Sequence, residues 1–242
     1  MTPLILLHGG GLGPWSWRRH ASLLEGTFDV HAPLLPGHRT GTSELFDMDT
    51  AVAEVVDVVE QLGEPAVLAG LSLGGQLATQ VAARHPEAVR AVVASGVNTV
   101  GIPGLGLLVA SLPLVRVTSK SRAMSRASGK AMGVPAEELD AFVEGGRLTT
   151  KQLAAIYRSS SANALPAGLP GDRVLVLAGA KEPGPIRRSL AAFGDAGAAT
   201  AVVPGGRHTW PLARPDLFAA CVQAWYAGAA LPAELEAAAQ PA

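Results

Sequence analysis

One serine of the chain lies in a pattern suited to nucleophilic catalysis. Residues 70–74 read Gly-Leu-Ser-Leu-Gly, with Ser72 at the centre, and a short apolar run precedes them. A serine at the apex of a sharp strand-to-helix turn needs small neighbours, because its backbone is strained and larger side chains would collide. Such a turn exposes the hydroxyl beside the positive end of the helix. The pentapeptide also fits an ordinary glycine-rich loop, so the function depends on what partners the chain supplies.

His208 is the candidate general base. It lies within residues 204–210, Pro-Gly-Gly-Arg-His-Thr-Trp, between a predicted strand at 199–203 and a predicted helix at 215–227. Catalytic groups of open α/β sheets collect at the carboxyl ends of the strands, which is where this loop belongs. For His8, directly after the first strand, a structural turn is favoured over catalysis. We therefore predict that His208 accepts the hydroxyl proton of the serine.

Glu182 is the candidate acid of a catalytic triad. It lies in the loop after the predicted strand at residues 174–177. A carboxylate there would orient the imidazole through its second nitrogen and stabilise its positive charge. The alternative is that Glu182 is only a solvated neighbour of Lys181. If Glu182 did not contact the histidine, Ser95 or Asn98 could replace it only as neutral hydrogen-bonding groups.

The oxyanion hole is predicted from two backbone amides. One belongs to Leu73, the residue after the nucleophile, and the other to Gly10 in the glycine-rich loop at residues 8–11. Missing side chains let this loop approach a substrate oxygen closely. The competing interpretation of residues 9–14 is a dinucleotide-binding loop, but that fingerprint requires a glycine where Pro14 stands.

The elements that must position these residues alternate along the chain. Short apolar runs predict buried strands at residues 4–7, 28–32, 66–69, 91–94, 174–178 and 199–203. Helical patterns lie between or after them, at residues 17–24, 50–62, 76–84, 186–193 and 215–227. This alternation predicts an α/β fold with a mostly parallel sheet and helices on both faces.

Residues 98–170, which we call the cap segment, interrupt this alternation. They contain no strand pattern, but an apolar stretch rich in Gly and Pro (100–115), then a basic stretch, then helical patterns at 135–144 and 149–160. We predict a helical cap inserted before the last two strands, with residues 1–97 and 171–242 forming the α/β core. The basic stretch is more typical of a solvated face than of a site for an anionic substrate.

A substrate pocket is expected between the cap segment and the core. Its candidate residues are large and apolar: Trp15, Trp17, Leu105, Leu108, Leu112 and Trp210. The alternative for most of them is that they only pack the cap segment onto the core.

Composition excludes several classes of protein. The 242 residues carry a formal net charge of −1, which argues against nucleic-acid binding. Cys221 is the single cysteine, so no disulfide framework exists and a reducing compartment is expected. The uncharged stretch at 91–115 is broken by Pro103 and Pro113, and residues 1–7 do not have a signal-peptide pattern. We expect a cytoplasmic protein without a membrane span, a metal or a cofactor; no oligomeric state is predicted.

The order Ser72, Glu182, His208 resembles that of the α/β-hydrolase superfamily. The resemblance rests also on His-Gly-Gly-Gly at residues 8–11 and Leu-Pro-Gly-His at 35–38. The chain resembles the compact, esterase-like serine hydrolases with a helical cap, because its first strand is the one before the His-Gly loop. It departs from the usual pattern in having Glu rather than Asp at the acid position.

This resemblance implies a cofactor-free serine hydrolase that cleaves a carboxylic ester through an acyl-enzyme. The expected substrate is a small molecule with an apolar acyl or aromatic part. Ser72 instead of an aspartate disfavours a dehalogenase, and Thr209 instead of a lysine disfavours a hydroxynitrile lyase. Carbon–carbon bond hydrolases, thioesterases, lactonases, cofactor-free haloperoxidases and a ligand-binding receptor without turnover remain open alternatives.

Overall fold

A mostly parallel sheet forms the centre of the molecule. The computed structural model describes residues 1–101, 104, 106–107, 110, 121–145 and 148–237. In these residues the sheet has the strand order β2-β1-β3-β4-β5-β6-β7, and only β7 runs antiparallel to its neighbour. The strands are β1 Thr2–Leu7, β2 Phe28–His31, β3 Ala66–Leu71, β4 Val89–Ser95, β5 Val174–Gly179, β6 Ala199–Val203 and β7 Glu236–Ala237. The predicted α/β fold is confirmed.

Helices cover both faces of the sheet. They are α1 Arg18–Leu24, α2 Met48–Leu62, α3 Leu73–Arg84, α4 Arg122–Met132, α5 Leu139–Gly145, α6 Thr150–Ala162, α7 Gly184–Asp195, α8 Trp210–Ala213 and α9 Pro215–Tyr226. Alternate residues of β1 enter opposite cores: Ile5 packs into one cluster and Leu4 into the other. Because both faces are covered, the central strands are apolar through their middle positions, which is why they read as continuous runs in the sequence.

Local signals fix the ends of the helices. Asp47 precedes α2, and its side chain accepts a hydrogen bond from the Thr50 amide at 2.9 Å. Gly63 ends the same helix in the left-handed conformation, with φ 76°. These are the acceptor and the glycine that helix ends require.

The cap segment is helical in its described residues, which contain α4, α5 and α6. It is fastened to α3 near both of its ends. The side-chain amide nitrogen of Gln76 donates to the backbone and side-chain oxygens of Asn98, each at 3.0 Å, and to the Ser160 carbonyl at 2.9 Å. Gln80 donates to Asn163 at 2.9 Å.

Helix α4 lies in the basic stretch, where the sequence predicted no helix. Its exposed Arg122 and Arg126 both pair with Asp140 of α5, which lowers the pKa of that carboxyl group. These ion pairs support the interpretation of the stretch as a solvated face. Strand β7 was also not predicted: its two residues are exposed and carry no apolar pattern. The cap segment therefore precedes three strands rather than two.

None of the helices in the described part of the chain has both the length and the hydropathy needed to cross a membrane.

Candidate active site

Ser72 lies at a strained turn between β3 and α3. Its backbone has φ 54° and ψ −114°, and it is the one non-glycine residue with positive φ among those the structure describes. The Ser72 amide donates to the Ser95 carbonyl at 2.7 Å, and the Ser72 carbonyl accepts from the Gln76 amide at 2.9 Å. Strain of this kind persists only where the surroundings impose it, and it is concentrated at functional sites.

The glycines on either side of this turn are required by close packing. A Cβ at Gly70 would lie 2.4 Å from the Gly74 carbonyl carbon. A Cβ at Gly74 would lie 2.0 Å from the Leu7 carbonyl oxygen of β1. Both distances are far below van der Waals contact, so any side chain there would push α3 away from the sheet.

The structure brings Glu182 and His208 together. The Nδ1 atom of His208 lies 2.9 Å from Oε2 of Glu182. The glutamate side chain is completely buried, whereas the histidine side chain is 35% exposed. The interpretation of Glu182 as a solvated neighbour of Lys181 is therefore wrong. Backbone hydrogen bonds hold the two loops together, including one from the Lys181 amide to the Gly206 carbonyl at 2.8 Å.

Gly96 provides the space for this pair, and sequence reasoning missed it. Gly96 has φ 67°, and a Cβ on it would lie 2.9 Å from Cε1 of His208 and 3.1 Å from Oε1 of Glu182. It directly follows Ser95, whose carbonyl holds the Ser72 amide. The nucleophile turn and the histidine–glutamate pair therefore meet the end of the same strand, β4. A Ser-Gly pair after a buried strand was the only signal in the sequence.

The two neutral substitutes for the acid are engaged elsewhere. The Ser95 hydroxyl accepts a hydrogen bond from the Trp210 indole at 2.9 Å. The side chain of Asn98 accepts from Gln76 at 3.0 Å and donates to the Val100 carbonyl at 2.9 Å. Glu182 is thus the group that the structure places on the histidine.

Gly10 and Leu73, the predicted amides of the oxyanion hole, lie next to each other. A Cβ at Gly10 would be 3.9 Å from that of Leu73 and 2.6 Å from the Ile156 side chain of α6. Leu73 is the first residue of α3, where backbone amides have no carbonyl partner within the helix. A glycine is needed at position 10 because α6 closes over the loop.

Two buried histidines hold the loop that carries Gly10. Nε2 of His38 accepts from the Gly11 amide and Nε2 of His8 accepts from the Leu35 amide, both at 3.1 Å. Their rings meet edge to face, with centroids 4.7 Å apart. Burial, and then the charge of the neighbouring imidazole, lowers the pKa of His8 to about 3, and burial also lowers that of His38. Both rings are neutral and structural near pH 7, and their roles were not predicted beyond a turn at His8.

The predicted pocket residues have different surroundings. Trp17 is fully buried and stacks on Phe218 at 5.4 Å, so it belongs to the core packing. Trp15 is nearly buried and meets Phe142 of α5 edge to face at 6.4 Å, which joins the core to the cap segment. Trp210 is buried against β4 through its bond to Ser95. Leu105, Leu108 and Leu112 lie outside the described residues.

No group of three or more metal-binding side chains occurs within the ranges that the structure describes. Cys221 is a free, buried thiol whose pKa burial raises to about 12, so it is a poor nucleophile near neutral pH.

Comparisons with known proteins agree with this architecture. The chain is similar to two curated proteins named pimeloyl-[acyl-carrier protein] methyl ester esterase. The one from Aromatoleum aromaticum is 38% identical over 95 residues, 39% of this chain and 37% of that protein. The one from Citrobacter koseri is 40% identical over 90 residues, 37% of this chain and 34% of that protein. The chain thus matches about a third of the length of these curated relatives.

A solved structure covers nearly the whole chain. The meta-cleavage product hydrolase of Pseudomonas fluorescens aligns with a TM-score of 0.73 and 20% identity, over 94% of this chain and 91% of that one. The family model described as alpha/beta hydrolase family matches residues 4–221, which include all three candidate triad residues. The chain therefore belongs to the alpha/beta hydrolase family.

Proposed function

We propose that this protein is a cofactor-free serine hydrolase that cleaves a carboxylic ester through an acyl-enzyme on Ser72. The observation that carries the proposal is the hydrogen bond between His208 and the buried Glu182, beside the strained turn of Ser72. A carboxylate buried against one imidazole nitrogen leaves the other nitrogen free for a substrate-side proton transfer.

Each residue then has a defined role. Nε2 of His208 removes the proton of the Ser72 hydroxyl while its oxygen attacks the ester carbonyl carbon, and Glu182 stabilises the imidazolium that forms. The amides of Leu73 and Gly10 donate to the oxyanion. Removal of one such donor costs about 10²–10³ in turnover. The imidazolium protonates the departing alcohol, and water activated by His208 then hydrolyses the acyl-enzyme.

The proposed substrate is a small ester with an apolar acyl or aromatic part. Apolar contacts support this class: Trp15 and Phe142 meet where the core faces the cap segment, and Ile156 lies over Gly10. The names of the curated relatives, which describe methyl ester esterases, support an ester rather than another acyl bond.

The test is stopped-flow hydrolysis of p-nitrophenyl acetate, butyrate and octanoate by the wild type and Ser72→Ala. We expect a burst of p-nitrophenol followed by steady turnover in the wild type, and neither in the variant, because the acyl-enzyme cannot form. Ser22→Ala, which alters an exposed serine on α1, is the matched control and keeps both phases.

Two further measurements complete the test. Activity must survive dialysis against a metal chelator, since the mechanism uses only protein groups. Equal rates for wild type and Ser72→Ala, without a burst, would reject the ester mechanism. Carbon–carbon bond substrates and ligand-induced shifts in melting temperature would then identify the alternative.

A further inference from the structure

Three consecutive side chains after β6 bind three different parts of the molecule. His208 contacts the acid Glu182, as described. Thr209 donates its hydroxyl hydrogen bond to the Met132 carbonyl, at the end of α4 in the cap segment. Trp210 donates to Ser95 at 2.9 Å. The two residues that follow His208 therefore bind different elements: Thr209 binds the cap segment, and Trp210 binds the end of β4.

The threonine and the end of α4 are in close contact where this hydrogen bond forms. Thr209 is 2% exposed, and the Met132 carbonyl belongs to the last turn of α4, where carbonyls have no partner within the helix. Gly133 follows with φ 88°, and a Cβ there would lie 2.9 Å from the Thr209 hydroxyl oxygen. The next residue, Val134, is buried in the same apolar cluster as Trp210. A glycine is therefore what allows the helix end to reach the threonine.

A pocket lies beside the hydrogen bond between Thr209 and Met132. A cavity of about 220 Å³ lies beside the contact, lined among others by Gly133, Arg207, Thr209 and Trp210. The hydroxyl of Thr209 is thus a discrete connection between α4 and the backbone next to His208.

We propose that Thr209 is a positioning residue that couples the cap segment to His208, so that the seating of α4 sets the orientation of the imidazole. The proposal rests on the proposed function for its catalytic consequence. The physical reason is that loss of the hydroxyl removes the hydrogen bond that ties the last turn of α4 to the backbone beside His208, so the helix end can move away from the loop. Displacement of a catalytic group by about 1 Å costs up to about 10² in rate.

The test compares Thr209→Val, which keeps the shape but removes the hydroxyl, with Thr209→Ser, which keeps the hydroxyl. We expect kcat for p-nitrophenyl esters to fall about 10- to 100-fold in Thr209→Val with little change in KM, and to stay near wild type in Thr209→Ser. Thr79→Val is the matched control, because it removes another fully buried hydroxyl that bonds a backbone carbonyl, that of Gln76, at 2.8 Å. It lowers stability without lowering kcat.

A second readout is independent of activity. The imidazole nitrogen signals of His208, assigned by their loss in His208→Gln, are expected to shift or broaden in Thr209→Val and to recover in Thr209→Ser. Thr209→Ala provides the same measurement if the valine variant does not fold, because the space it opens admits water to the Met132 carbonyl. Unchanged His208 signals and unchanged kcat in a folded variant without the hydroxyl would overturn the coupling.

The two proposals fail in different ways. If Ser72→Ala hydrolyses esters as the wild type does, the proposed function fails, yet the His208 signals still report on Thr209. If the burst depends on Ser72 but neither kcat nor the signals respond to loss of the Thr209 hydroxyl, only the coupling fails.

Discussion

The charge and the reach of Glu182 can be separated by two substitutions. Glu182→Gln keeps the length of the side chain and removes its charge. Glu182→Asp keeps the charge but retracts the carboxylate by about 1.5 Å, one carbon–carbon bond. The distance of 2.9 Å to Nδ1 of His208 then becomes about 4.4 Å, too long for a hydrogen bond.

The expected effects differ in size. At an effective dielectric constant of about 20, this retraction reduces the attraction of the carboxylate for the imidazolium by about 2 kcal/mol, or about 25-fold in rate. Neutralisation in Glu182→Gln removes the whole attraction, and a loss of about 10⁴ in kcat is typical of such a change. The glutamine variant is therefore expected to be the slower enzyme, although its shape is closer to the wild type.

Glu182→Gln is expected to be as stable as the wild type or more stable, although it is the slower enzyme. Oε1 of Glu182 is buried without a hydrogen-bond partner among the residues that the structure describes, and a buried charge costs more than a buried amide. Glu182→Gln should melt at the same temperature as the wild type or higher, which excludes unfolding as the cause of its slow turnover.

The assay is burst and steady-state hydrolysis of p-nitrophenyl butyrate, with melting temperatures measured on the same samples. The matched control is Glu87→Gln, which neutralises the carboxylate of an exposed glutamate–histidine pair at 3.4 Å and leaves kcat unchanged. A glutamine variant within tenfold of wild-type kcat, or faster than the aspartate variant, would refute the role assigned to this carboxylate.

Two further predictions concern residues that support the candidate active site without taking part in the proposed reaction. Gly96→Ala is expected to lose about 1–2 kcal/mol in unfolding free energy from its left-handed backbone alone, and also to lose kcat, because its Cβ would lie 2.9 Å from His208; a variant with wild-type melting temperature and rate would contradict this. The lowered pKa values of His8 and His38 mean that the unfolded chain binds more protons, so unfolding free energy falls as the pH drops below about 6.5; His8, whose pKa is lowered to about 3, contributes up to about 1.4 kcal/mol per pH unit, and His38 contributes in the same direction. Urea unfolding between pH 7 and 5 measures this slope, which is expected to become shallower in His38→Gln, whose amide oxygen can still accept from Gly11; an unchanged slope would exclude His38 as a contributor.

The strands and the positions of the chemical groups could be predicted because their signals are local. The turn around Ser72 needs glycines within two residues, and buried parallel strands read as apolar runs. The loops that carry Glu182 and His208 follow such runs directly, so topology alone sends both to one edge of the sheet. These features require no knowledge of distant contacts.

The remaining features depend on residues far apart in the sequence. His38 binds the amide of a residue 27 positions away, and Thr209 binds a carbonyl 77 positions away. Nothing in the sequence near either residue signals its partner. Helix α4 was missed because its polar composition gives no apolar run; the Ser121 cap and Gly133 mark its ends.

The attachment of the cap segment to α3 has a consequence for how proteins of this design can diversify. Gln76 and Gln80, one helical turn apart, hold residues near the entry and the exit of the insertion. The separation of these two points is therefore set by the helix that begins at the nucleophile and not by what lies between them. Because each doubling of a flexible connection costs only about 0.6 kcal/mol, the intervening sequence can be lengthened, shortened or exchanged at little cost to folding. The segment can thus be exchanged with little effect on folding but not without regard to its contact with Thr209: grafting a different one between Asn98 and Asn163 should alter substrate preference, and should keep kcat only where the graft again presents a carbonyl to Thr209.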